Sequence, residues 1–293
     1  MFAVALMFSS CGSDNEDSDT SSTRNDNANV VTASMPAEIT RLEFPKVKGG
    51  NNLIIVHRAT LNSKTGETGV NYSLEWDCGK KSQRWSCYEM YRGITATNTN
   101  RYYGDPQYPQ DESVPEAYRF TSDPYWGTGY NHGHICPSAD RLGSSEANYQ
   151  TFFLSNMQPQ VSGFNAGIWE SMEKQVRIWN RNDFRDTLYV CKGGTIDNSD
   201  QIITTTANGL IVPKYYFMAI LCKNSLGYKA IGLWAEHKSN NDDVVANYVV
   251  SIDQLEQLTG IDFFCNLPDG IEKSVEGLSV DNIKRVWGLA TVN

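Results

Sequence analysis

The sequence predicts an α+β fold, a mixed or antiparallel β-sheet core flanked by helices. Three observations point there. Short β-branched and aromatic runs recur between Leu53 and Trp234, bounded by Gly, Asn and Asp as strands are. One long segment, Asn165–Asn182, carries Trp169, Met172, Val176 and Trp179 at spacings of 3, 4 and 3, an apolar helical stripe. A hydrophobic content of 40% over 293 residues supplies a sizeable core and excludes a disordered chain.

The elements follow in order. Residues 2–8 form an apolar run far too short to span a bilayer. Ser9-Ser10-Cys11-Gly12 then resembles the end of a bacterial lipoprotein signal, although the basic n-region is missing. Residues 1–11 are read as a signal remnant with Cys11 as the lipidated residue, and residues 12–40 as a disordered acidic tether. The expectation is an exported protein, periplasmic or lipid-anchored at the outer membrane or cell surface. The folded domain is expected to span residues 41–293. Within it, Leu53–His57 reads as a buried strand, and Tyr72–Trp76 and Arg84–Tyr91 as a strand pair. Residues 98–130, rich in Tyr, Pro, Asp and Gly, read as a long loop, of a length that is usually either functional or poorly ordered. Leu188–Cys191, Ile211-Val212, Tyr215–Cys222 and Lys229–Trp234 are further strands, with a turn at Gly193-Gly194. Asp253–Thr259 and Val275–Val280 suggest short helices. Apart from Cys11 there are six cysteines, an even number that suggests disulfides in an exported chain. Cys78–Cys87 is the first expected pair and Cys222–Cys265 the second, with Cys136 and Cys191 either paired or buried thiols.

The net charge of -9 excludes a broad basic footprint of the kind stable nucleic-acid binders carry. It does not exclude a local basic site, because six acids and one base in residues 1–40 account for more than half of it.

Two segments carry chemistry. Asn165, Glu173 and Arg177 lie on one slowly rotating edge of the expected helix. An amide oxygen, a carboxylate and a guanidinium so placed can serve a metal and a phosphate together. The plainer reading is a solvated face with a Glu173–Arg177 pair. The other segment is Tyr130–Arg141, Tyr-Asn-His-Gly-His-Ile-Cys-Pro-Ser-Ala-Asp-Arg. His132 and His134 share one face of a strand, and with Cys136 they suggest a zinc site that lacks an obvious fourth soft ligand. The plainer readings are a polar rim residue for His132, a hydrogen-bonded core residue for His134 and a local Asp140–Arg141 ion pair.

Asn131-His132-Gly133-His134 resembles the Asp-Arg-Gly-His signature of the DNA/RNA non-specific endonuclease family. The resemblance continues through Phe153-Leu-Ser-Asn156-Met-Gln-Pro-Gln160, Phe164-Asn165, Gly167, Trp169, Glu173 and Arg177. Val190–Gly194, Val212–Phe217 and Leu255–Phe264 resemble later blocks, so roughly residues 45–285 are covered. The resemblance implies a ββα-metal active site and a Mg²⁺-dependent endonuclease, with Mn²⁺ as a substitute ion. It would act on DNA and RNA and leave 5′-phosphates. It implies that His134 is the general base, Asn165 the protein ligand to the metal, and Glu173 the acid that holds metal-bound water. Asn156 becomes a supporting amide, and Arg177 and Arg101 become arginines near the scissile phosphate. Histidine suits the base role near neutral pH, and a neutral amide ligand leaves the charge of the ion undiminished for the phosphate.

The chain departs from the signature at Asn131, where the family has Asp, and at His132, where it has Arg. Loss of the Arg removes a permanent cation. His132 restores that charge only when protonated, which favours mildly acidic pH. The competing expectation is a surface lipoprotein that binds nucleic acid and cuts it weakly.

Overall fold

The structure, a computed structural model, describes residues 24–290, so Cys11 and the signal-like segment lie outside the described residues. Eleven strands are found among them: β1 (Asn52–Asn62), β2 (Glu67–Asp77), β3 (Ser82–Tyr91), β4 (Asn131–His134), β5 (Met157–Gln160), β6 (Thr187–Gly194), β7 (Ile202–Thr205), β8 (Ile211–Pro213), β9 (Tyr215–Asn224), β10 (Gly227–Glu236) and β11 (Val249–Val250). The α-helices are α1 (Ser145–Gln150), α2 (Ser162–Phe164), α3 (Glu170–Trp179), α4 (Ile252–Thr259), α5 (Asp269–Glu276) and α6 (Val280–Val286).

Seven strands form one sheet in the order β1-β2-β3-β6-β9-β10-β11, with every neighbouring pair antiparallel. The expected α+β class holds, in its antiparallel form. Side chains alternate across a strand, and β9 shows how both faces are used. Tyr216, Met218, Ile220 and Cys222 pack on one face with Trp169, Met172, Val176 and Trp179, so the apolar stripe expected of the long helix is buried. Phe217, Ala219 and Leu221 pack on the other face with Ile252 and Leu255 of α4 and Val275 of α5. Because both faces are covered, β9 reads in sequence as an unbroken apolar run rather than an alternating one.

The same two faces explain why the expected disulfides are absent. All six cysteines are buried free thiols. Cys78, Cys136 and Cys222 lie on the first face, and Cys87, Cys191 and Cys265 on the second. Each expected pair therefore straddles the sheet, which a bond of about 2 Å between sulfurs cannot bridge. Cys87 instead lies opposite Cys191 in the β3–β6 register.

Three further expectations are corrected. The segment from Arg24 to residue 40 is docked rather than a free tether: Asn25 Nδ2 donates to the Cys265 and Leu267 carbonyls at 3.0 and 2.6 Å, and Ile39 is fully buried. Gly193-Gly194 ends β6 in the ladder opposite Phe217 and Tyr216 instead of making a turn. Residues 275–280 span the break between α5 and α6 rather than a helix of their own.

Candidate active site

β4 and β5 pair antiparallel, with His134 opposite Met157 and Gly133 opposite Gln158. A Cβ on Gly133 would lie 2.3 Å from Gln160 Cδ, so glycine is what lets the Gln160 side chain cross the back of β4. The chain then enters α2, passes through a π-helical turn at Asn165–Trp169 and continues as α3. The helix thus starts earlier than Asn165 and ends at Trp179, and it leaves helical geometry at Gly167 (φ −106°, ψ −116°). Trp169 Nε1 donates to the His134 carbonyl at 3.2 Å, binding helix to strand. Val161 N–H donates to His237 Nε2 at 2.7 Å, which orients the helix entry.

A cleft of about 550 Å³ opens between these elements. His134, Asn165, Glu173, Arg177 and Arg101 all line it. Asn156 does not: it is fully buried behind β4. Its Oδ1 accepts from Cys136 N–H at 2.9 Å, and its Nδ2 donates to the Cys136 and Thr151 carbonyls, both at 2.8 Å. Asn156 is thus a brace for the end of β4.

His134 faces the cleft with an Nε2 that has no hydrogen-bond partner. Burial, followed by the positive charge of Arg101, pulls its pKa down to about 3, against a hydrogen bond with the backbone of His132. The imidazole is therefore neutral at pH 7, and its Nε2 sits unpartnered and shielded from solvent in the wall of the cleft. The Asn165 carboxamide lines the same cleft with no hydrogen-bond partner among the described residues, and Glu173 and Glu170 line it too, Glu170 with an oxygen 2.9 Å from Lys174 Nζ. These are the donor types a Mg²⁺ ion takes, so the residues fit the implied metal.

Glu173 is not free. Lys192, fully buried on β6, donates to Glu173 Oε1 at 3.1 Å and lies 4.9 Å from the centre of the Trp169 ring. Burial raises the Glu173 pKa, and Lys192 pulls it back. Arg177 is also engaged, with Nη1 at 3.0 Å from Asp140 Oδ1, while Tyr88 OH donates to Asp140 Oδ2 at 3.0 Å. The expected Asp140–Arg141 and Glu173–Arg177 pairs give way to this arrangement. The Arg141 guanidinium donates to the carbonyls of Asn71, Asp140 and Glu89 instead. Arg101 lies 4.7 Å from the centre of the Phe152 ring and has no carboxylate partner among the described residues.

His132 stacks between Tyr108, at 3.6 Å and 4°, and Tyr125, at 4.0 Å and 27°. Its Nε2 lies 3.0 Å from both oxygens of Asp123. Burial opposes ionisation of Asp123, but the hydrogen bonds to it keep its pKa below the usual value. His132, His134 and Cys136 do not converge as a metal set: His132 is committed to Asp123, and the Cys136 thiol is fully buried and raised to about 12. Sequence reasoning missed Tyr108, Asp123, Tyr125 and Lys192. The signal for the first three was the density of Tyr and Asp in the 98–130 loop. Lys192 gave none, because a lysine within an apolar strand reads as an edge residue.

Residues 49–270 match the sequence profile of the DNA/RNA non-specific endonucleases. The mitochondrial nuclease of Saccharomyces cerevisiae is 30% identical over 279 residues, covering 82% of this chain and 81% of its own. The mitochondrial nuclease EXOG of Xenopus laevis is 26% identical over 209 residues, 68% of this chain; the match spans only 58% of the Xenopus protein. A crystal structure of an EndoG/EndoGI complex superposes with a TM-score of 0.58 at 24% identity, covering 67% of this chain and 83% of that one, and supports the fold.

Proposed function

The chain belongs to the DNA/RNA non-specific endonuclease family, and from that membership we propose that it is a Mg²⁺-dependent endonuclease cutting DNA and RNA to 5′-phosphate products. The observation that carries this reading is the partnerless His134 Nε2 sharing one cleft with the free Asn165 amide.

His134 Nε2 takes the proton of the attacking water. In the free protein burial and Arg101 hold its proton affinity down. A bound phosphodiester brings negative charge beside it and raises that affinity at the step that needs it. Arg101, the unpaired guanidinium of the cleft, meets the non-bridging phosphate oxygens and the charge that grows on them. Arg177, held by Asp140, acts as a fixed positive wall with less charge to offer. Asn165 would hold Mg²⁺ and Glu173 a water bound to it; the ion would neutralise phosphate charge and favour departure of the 3′ oxygen. Lys192 fixes the Glu173 carboxylate toward the cleft. Such a cleft grips backbone rather than base edges, which accounts for weak sequence preference.

A plasmid-nicking assay with Mg²⁺, repeated with EDTA, tests the reading. Mg²⁺-dependent nicking supports it. Binding without nicking across mildly acidic to mildly basic pH would leave the weakly catalytic binder as the better account. Export with a lipid anchor on Cys11 belongs to the same proposal and rests on the sequence alone. Loss of membrane-fraction protein in Cys11→Ala tests it.

A further inference from the structure

A second group of carboxylates stands apart from the cleft, where the first turn of α4 meets the end of α5. Asp253 and Glu256 belong to α4, and Glu276 is the last residue of α5. One oxygen from each lies within 4.8 Å of the other two. Glu276 is 7% exposed, and its Oε1 is shielded from solvent without a hydrogen-bond partner. Glu256 Oε1 accepts from Phe263 N–H at 2.7 Å, which leaves its second oxygen. A Cβ on Gly277 would meet Asp253 Oδ2 at 3.3 Å, so that carboxylate rests over the end of α5, where the negative end of the helix dipole adds to the repulsion.

Among the described residues no salt bridge holds Glu276. The charged groups that act on it are Glu256, Glu272, Asp262 and Asp253, all acids. Buried carboxylates in that position must hold protons or a cation. Oxygens that close can share one cation. A set made of carboxylates suits Ca²⁺, which takes several protein oxygens at about 2.3–2.6 Å, better than Mg²⁺, which keeps most of its waters.

We propose that Asp253, Glu256 and Glu276 bind a calcium ion that clamps α4 to α5, a structural site separate from the catalytic cleft. Water and nearby backbone oxygens complete its coordination. The ion converts a mutually repelling set of acids into a cross-link between two helices on the second face of the sheet.

Thermal unfolding of the full chain in EDTA, then with Ca²⁺ alone, tests this. The midpoint of the unmodified protein is expected to rise by several degrees, half-maximally below about 1 mM Ca²⁺. Glu276→Gln and Asp253→Asn are each expected to abolish the rise. Glu276→Gln is also expected to unfold no earlier than the unmodified protein in EDTA, because it removes an acid that the fold can bury only by neutralising it. No rise at about 10 mM Ca²⁺ overturns the proposal. So does a rise that survives in both variants, which would place the ion elsewhere, the Asn165 cleft included. Should Glu276→Gln fail to fold, the exposed Asp253→Asn decides the matter alone.

Discussion

His134 owes its character to burial and to one neighbour, Arg101, that the sequence does not place beside it. Burial and Arg101 keep the imidazole neutral far below the usual histidine range. The kcat/KM profile of the free enzyme is therefore expected to lack an acid limb near pH 6.5. Arg101→Gln is expected to move the acid limb upward only part of the way, because the cation is gone while burial, the larger cause, remains. An unshifted profile in that variant would separate Arg101 from the base. His134→Ala is expected to lower cleavage about 10²–10⁴-fold while the circular dichroism spectrum stays unchanged. Asn165→Ala is expected to weaken the Mg²⁺ dependence and the rate together, read as a right-shifted metal titration. His132 is held between two tyrosine rings and against Asp123. His132→Arg, which restores the permanent cation of the family signature, is expected to move the pH optimum of cleavage upward. The meeting of His134 and Asn165 in one cleft was legible as a motif. The aromatic cradle of His132 was not, because Tyr108, Asp123 and Tyr125 reach it from a loop whose path no periodicity dictates.

At the scale of elements, the 98–130 loop is pinned rather than loose. Asp111 Oδ2 lies 3.1 Å from His57 Nε2 on β1, and both residues are buried. The Leu154 N–H donates to the Pro109 carbonyl at 3.0 Å. Asp111 also accepts from Ser155 Oγ and from Ser113 N–H; leaving buried partners unsatisfied costs about 1–3 kcal/mol, so Asp111→Ala is expected to destabilise by that order in urea unfolding. It is also expected to lose activity in the native state, because Arg101 and Tyr108 ride on the same loop. Full activity in folded Asp111→Ala would show that the loop positions nothing. The helix was legible through its tryptophan stripe, but the π turn at Asn165–Trp169 was not. A one-residue widening leaves the apolar pattern of the following turns intact, and such turns occur often at functional sites. The cysteines misled for a related reason. Their even count suggested bridges, whereas period-two alternation sends each supposed pair to opposite sides of the sheet.

For the molecule as a whole, the acids near α4 and α5 reverse the usual acid response. Burial and neighbouring carboxylates raise Glu256 and Glu272 from 4.5 to about 7, and Glu276 from 4.5 to about 9. A carboxyl with a raised folded-state pKa binds more protons folded than unfolded, so its burden on stability grows as pH rises from about 4.5 through those values. His134 works the other way, costing stability as pH falls below its unfolded value of 6.5. The unfolding temperature in EDTA is therefore expected to decline from pH 7 to pH 9, and a flat profile would show that these acids are not strained. The overall class was legible because strand runs and one strong helix survive any reading of the composition. The docking of residues 24–40 was not. Asn25 and Asn29 hold that segment through side-chain amides bonded to backbone carbonyls, an attachment that leaves no apolar trace.

The brace behind β4 has a consequence for hydrogen exchange. A strand of four residues ought to fray at its end and trade amide protons with solvent quickly. Here the Ile135 amide donates to the Asn156 carbonyl at 3.0 Å and the Cys136 amide to Asn156 Oδ1 at 2.9 Å. One asparagine thus extends the ladder by two rungs, and both amides should exchange as slowly as those of the large sheet, keeping the imidazole just before them still.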